Sequence, residues 1–272
     1  MNLAFASSFF PASDFETIAA RAKEFGFDGV ELAGTVREPV SASANVFLTD
    51  PAKVSRAFEK AGVEIACLDG SVFYTGVKQR DAESAQELKQ TVSIAKSLHC
   101  RLVTVRVGQG TLGRSAMATA VGLGDWLLPL GDWAADHGAM LVVKNGSAIR
   151  TARQMWSVLD RLRHPAIACC WDVVAGTSAG EGPLVSVPVL NSKIQYAHIP
   201  PPASDEADIP VRKFLTRLQG IGYGGYVTIT PGPEVSRSSP ETALPEAATR
   251  LRSWLASPAE RKPAHKKLVV AK

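Results

Sequence analysis

The sequence is poor in the residues that staple small or metal-bound folds. Its four cysteines, Cys67, Cys100, Cys169 and Cys170, have no CxxC spacing. That argues against a zinc knuckle and favours reduced thiols in a core. Cys169 and Cys170 are consecutive in a predicted strand and therefore point to opposite faces. No apolar run approaches the ~20 residues needed to cross a bilayer. The opening MNLAFASSFFP lacks a basic segment, and its apolar run is too short for a secretory leader, so a cytoplasmic protein is expected. No GxGxxG follows the first predicted strand, which removes the usual dinucleotide fingerprint. Gly108-Gln109-Gly110, after a later strand, reads as a turn.

Charge is also scarce where it would matter for nucleic acid. The formal net charge is +4. All of it sits beyond residue 256, where Arg261, Lys262, Lys266, Lys267 and Lys272 face only Glu260. With Pro258 and Pro263 and no helical period, residues 257–272 read as a basic, disordered tail and not as a nucleic-acid arm. Residues 1–256 are formally neutral and are expected to form one domain.

What the chain does contain is a repeating unit: a short apolar strand, a polar loop, then an amphipathic helix. Strands are expected at 2–6, 28–32, 64–69, 101–107, 139–144, 166–172, 193–199 and 225–230. The segment 101–107 is nearly continuous in β-branched residues, as a buried parallel strand should be. Phe15, Ile18, Ala19, Ala22 and Phe25 recur at helical spacing after Ser13 and Glu16, which are spaced as a capping box. Asp50-Pro51 opens the next helix and Gly62 ends it. Further helices are expected at 82–98, 151–163, 210–219 and 241–255. Within 115–137, Gly122, Gly124 and Pro129 predict a break before Leu130. Strict alternation implies a parallel sheet with right-handed crossovers. Eight units in about 255 residues fit an α/β fold closed into a single (β/α)8 TIM barrel, which typically takes about 250 residues. An open doubly wound sheet is the alternative.

In such a barrel the active site lies at the C-terminal ends of the strands. The polar residues there are Glu31, Asp69, Arg106, Lys144, Asn145, Trp171, Asp172, His198 and Thr230. Lys144, Asp172 and His198 end successive strands and are the catalytic candidates. Arg106 can grip an anionic or hydroxylated group or pair with an acid inside the barrel. Trp171 can stack on a sugar face or belong to the core, and Glu31 can balance Arg106.

The chain resembles the xylose-isomerase-like barrels, the sugar phosphate isomerase/epimerase group that shares its fold with type 2 AP endonucleases. The resemblance covers about residues 2–256. It rests on EFGFDGVEL at 24–32, GVEIACLDGSVF at 62–73, AKSLHCRLVTVRVGQG at 95–110, AADHGAMLVVKNGSA at 134–148, HPAIACCWDV at 164–173, KIQYAHI at 193–199 and GYGGYVTIT at 222–230. The Gly180-Glu181 pair after the sixth strand is also like the family. The resemblance implies a small sugar or polyol as ligand, no membrane partner, and one divalent metal held by four side chains. Those are a Glu, an Asp, a His and a Glu ending strands five to eight. Asp172 and His198 match the middle two. Lys144 and Thr230 stand where the two Glu are expected, and Pro200-Pro201 replaces the Lys-Asp that often follows the His.

The substitution is large electrostatically. An ammonium about 4 Å from a divalent ion repels it by roughly 8 kcal/mol at an effective dielectric of 20, and two oxygen ligands are lost as well. No cofactor is therefore expected. Three readings stay open: a binding protein or pseudoenzyme in which Lys144 pairs with Asp172; a carbonyl enzyme using Lys144 as a Schiff base; and an isomerase whose Mn²⁺, Mg²⁺ or Zn²⁺ is held by Asp172, His198 and recruited acids such as Glu31, Asp69 or Glu234.

Overall fold

A computed structural model describes residues 1–35, 45–108, 115–202, 209–231 and 239–256. The tail from residue 257 and Glu234 lie outside the described residues, as do Gln109 and Gly110 of the expected turn.

The apolar runs form strands β1 (Asn2–Ala6), β2 (Gly29–Ala33), β3 (Glu64–Asp69), β4 (Phe73–Tyr74), β5 (Leu102–Val107), β6 (Met140–Lys144), β7 (Ile167–Asp172), β8 (Ile194–Ile199) and β9 (Tyr226–Ile229). All pairings between them are parallel. β1 lies between β2 and β9, and Leu68 of β3 pairs with Val103 of β5, which closes the ring. The eight long strands thus make a closed (β/α)8 barrel. β4, which the sequence pattern does not announce, adds only two residues against Arg106 and Val107 at the end of β5.

Around the barrel run α1 (Phe15–Glu24), α2 (Pro51–Ala61), α3 (Lys78–Ser97), α4 (Ala116–Asp136), α5 (Ala152–Leu162), α6 (Val173–Ser178), α7 (Pro183–Leu190), α8 (Val211–Gly220) and α9 (Pro240–Ala256). The α2 caps are as expected: Asp50 accepts from Ala52 N, and Gly62 takes the left-handed conformation at φ 69°. Two expectations at helices are corrected. Asp14, not Ser13, caps α1 by accepting from Thr17 N at 2.8 Å, while Ser13 Oγ accepts from Arg21. α4 runs unbroken through Pro129. Pro129 is exposed, so the carbonyl it leaves unbonded one turn earlier can be hydrated.

Alternation along each strand sorts side chains into two layers. Cys169 faces the helices and Cys170 faces inward. The inner set includes Ala4, Ala66, Cys67, Met140, Val142, Ala168, Cys170 and Tyr196. The outer set, led by Leu3, Phe5, Phe214 and Leu141, packs strands against helices. Each such fully buried side chain contributes about 1.5–3 kcal/mol relative to exposure. All four cysteines are buried free thiols.

Candidate functional site

Successive inward positions on a strand are two apart in sequence, and that spacing builds the barrel mouth. Cys67, Thr104, Val142, Cys170, Tyr196 and Thr228 form a sealed floor with no solvent exposure. Two positions further along come Asp69, Arg106, Lys144, Asp172, His198 and Thr230. With Glu31 of β2, these seven line one cavity of about 460 Å³. Ser7, Phe10, Ser71, Val174, Pro200 and Pro231 complete much of its wall.

The charges in the mouth are paired. Lys144 Nζ lies 2.9 Å from Asp172 Oδ2, with side chains only 19% and 13% exposed. The other Asp172 oxygen accepts from Val174 N at 2.9 Å and Ala175 N at 3.1 Å, capping α6. Burial alone would raise the Asp172 carboxyl, but Lys144 and His198 hold it below its ordinary value. Burial likewise opposes the charge on Lys144, and Asp172 overcomes it, so the amine is held above its ordinary value.

Beside them, Arg106 donates to Asp69 Oδ2. Asp69 Oδ1 accepts from Thr104 Oγ1 at 2.8 Å and from Ser71 N at 2.9 Å. Burial would raise this carboxyl, and Arg106 with those donors brings it below the ordinary value. Arg106 therefore takes Asp69, not Glu31, as its partner. Glu31 Oε2 instead lies 2.7 Å from His198 Nε2, both side chains being buried. With Glu31 ionised, Nε2 carries the proton. His198 Nδ1 is buried with no partner among the described residues.

Two expected site residues do not reach the cavity. Trp171 is buried on the helix side, and Gly176 of α6 sits so close that a Cβ there would lie 2.7 Å from the indole. It belongs to the core and offers no stacking face. Asn145 clamps the end of β7, donating Nδ2 to Asp172 O at 3.0 Å and accepting from Asp172 N at 2.6 Å. Thr230 does line the mouth, held by its backbone N–H to Ile199 O at 2.9 Å. Sequence reasoning missed Ser7 and Phe10 after β1. The signal was the SSFFP segment at a strand's C-terminal end, passed over because it carries no charge.

Residues 19–254 match the family described as xylose isomerase-like TIM barrel. The chain belongs to that family. No curated protein matches it in sequence. Among solved structures, this xylose isomerase-like barrel is similar to IolI protein with a bound zinc atom (TM-score 0.79, 15% identity, covering 96% of this chain and 100% of that one). It is also similar to the 3-keto-D-glucoside 4-epimerase YcjR from E. coli (TM-score 0.77, 16% identity, 93% and 99% covered). A third is a D-psicose 3-epimerase solved in the presence of D-fructose (TM-score 0.73, 13% identity, 94% and 97% covered). At these identities the likeness shows the fold.

The family implies a divalent metal, and the side chains that could hold one are engaged with other groups. At the positions the resemblance aligns with its ligands stand Lys144, Asp172, His198 and Thr230. The Asp172 oxygens are taken by Lys144 and two backbone N–H groups. The acids that might be recruited are also engaged, Glu31 by His198 and Asp69 by Arg106. Among the described residues, no three His, Cys, Asp or Glu side chains converge into a metal-holding group.

Proposed function

We propose that the barrel mouth binds a small neutral sugar, polyol or related hydroxylated metabolite without a divalent metal, and that the family's metal-dependent isomerase chemistry is lost or altered here. The observation that carries this reading is the Lys144–Asp172 ion pair at 2.9 Å inside the cavity. The ammonium supplies the positive charge beside Asp172 that a metal would otherwise supply. The mouth holds Glu31, Asp69 and Asp172 against Arg106 and Lys144. Nearly balanced charge favours an uncharged ligand over a phosphate or carboxylate. Paired carboxylates and cations, with Ser7, Ser71 and Thr230, offer the mixed donors and acceptors that hydroxyl groups need, and Phe10 supplies an apolar wall. Sugar epimerases among the similar structures support the same ligand class.

The Schiff-base reading is weaker. A lysine attacks a carbonyl only as the free amine, and Asp172 holds Lys144 protonated. The test is calorimetric titration of EDTA-treated protein with a panel of pentoses, hexoses, ketoses and cyclic polyols. Saturable binding to at least one, weakened tenfold or more by Lys144→Met, is expected. Binding that appears only when Mn²⁺, Mg²⁺ or Zn²⁺ is added contradicts the proposal.

A further inference from the structure

The helix α7, Pro183–Leu190, reads PLVSVPVL and carries no charged residue. Every other described helix of eight or more residues carries several. Its inward positions Pro183, Ser186, Val187 and Leu190 are buried against the barrel at helical spacing. Its outward positions Leu184, Val185, Pro188 and Val189 are exposed and all apolar. A helix apolar all round belongs in an interior, not on a surface.

The outward face does not stand alone. α5 packs against α7 on one side and α4 on the other. The exposed large apolar side chains of these three helices are Leu184 (60%), Val185 (53%), Val189 (39%), Trp156 (40%), Leu128 (45%) and, in the first turn of α4, Met117 (70%). With ordinary side-chain areas, those fractions amount to roughly 450 Å² of apolar surface per chain, a little over half of the ~800 Å² each partner contributes to a standard interface. A polar rim normally supplies the rest.

We infer that the α4–α5–α7 face is the interface of a homodimer, with α7 near its two-fold axis. Close to such an axis each residue meets its own copy, so any charge there meets a like charge. An uncharged apolar helix is the one kind of surface that complements itself without that repulsion, and it supplies no charge by which to select a different partner. The cavity lies at the strand ends, walled by strand termini, the loops beyond them and the first turns of α1 and α6, while this face is on the outward sides of α4, α5 and α7. Dimerisation therefore leaves the mouth open.

The test is sedimentation velocity of the full chain from about 1 to 100 µM, with Leu184→Asp and Val185→Asp as variants. Both positions are exposed, so the variants should keep the native circular dichroism and melting midpoint of the separated subunits. A dimer for the native chain, with the dissociation constant raised at least tenfold by each variant, is expected. As a second readout, Val185→Cys should cross-link copies on mild oxidation, because the native thiols are buried. A native chain that stays monomeric to 100 µM, or a dimer that both variants leave intact, overturns the inference.

Discussion

Replacing Lys144 with Met removes the cation from the mouth while nearly preserving volume. At 2.9 Å and an effective dielectric of 20, the pair attracts by about 6 kcal/mol before desolvation is counted. Burial of both groups offsets much of this, and Asp172 keeps its two backbone donors. Breaking a buried pair typically costs 3–5 kcal/mol, and the slight exposure of this one, through which water screens the charges, lowers the expected loss to about 2–3 kcal/mol. For a chain of this size that corresponds to a fall in melting midpoint of roughly 5–10 °C. The pH dependence has a definite sign. In the variant the attraction of Lys144 is gone and burial is opposed only by His198 and the backbone donors, so the Asp172 carboxyl should move up from its native value, and protonation should relieve the unpaired charge. The gap between native and variant stability should therefore narrow as pH falls through 4. Adding Asp172→Asn to Lys144→Met should recover at least half of the loss, since Asn still caps α6 and carries no charge. Urea denaturation of the native, single and double variants at pH 7 and pH 4 checks this. A loss below about 1 kcal/mol for Lys144→Met, or strict additivity in the double variant, would refute the reasoning.

Arg106→Leu should cost about 2–4 kcal/mol in the same assay, because Asp69 is buried and loses its counter-charge; no change in stability would show that the pair is idle. In acid, the stability contributed by Asp69 and Asp172 is present above their ordinary carboxylate values. It is lost as pH falls through their lowered native values. An unfolding transition followed by circular dichroism should steepen below about pH 4, and should move to higher pH in Arg106→Leu. Gly176→Ala should destabilise by about 1–3 kcal/mol, because its new methyl meets the buried Trp171 ring; a neutral result would mean that the indole is free to move.

The barrel was legible because buried parallel strands are short β-branched runs and most helices show a clear apolar face. The exceptions have local causes. Between β7 and β8 the pattern gave no helix, because α7 has no polar face and so no hydropathic period. Pro129 reads as a helix breaker in any sequence, and only its solvent-facing position makes it tolerable. The strand-end rule placed Glu31, Asp69, Arg106, Lys144, Asp172, His198 and Thr230 at one mouth, because strand ends in a closed parallel barrel converge. It did not give the pairing. Glu31 and His198 lie 167 positions apart in sequence, and nothing local says that Arg106 chooses Asp69 over Glu31. Of the two readings open for Trp171 the structure favours the core, because alternation turns it toward the helices, one residue before the inward-facing Asp172.

The central claim is that Lys144 takes the place of a metal. Elemental analysis of protein expressed with added manganese, followed by Mn²⁺ titration, addresses it directly. The native chain should carry no stoichiometric divalent metal and bind Mn²⁺ no better than a surface carboxylate does. Lys144→Glu with Thr230→Glu should acquire measurable binding, and either change alone should do less. One tightly held metal per native chain, lost on replacing Asp172 or His198, would contradict the account.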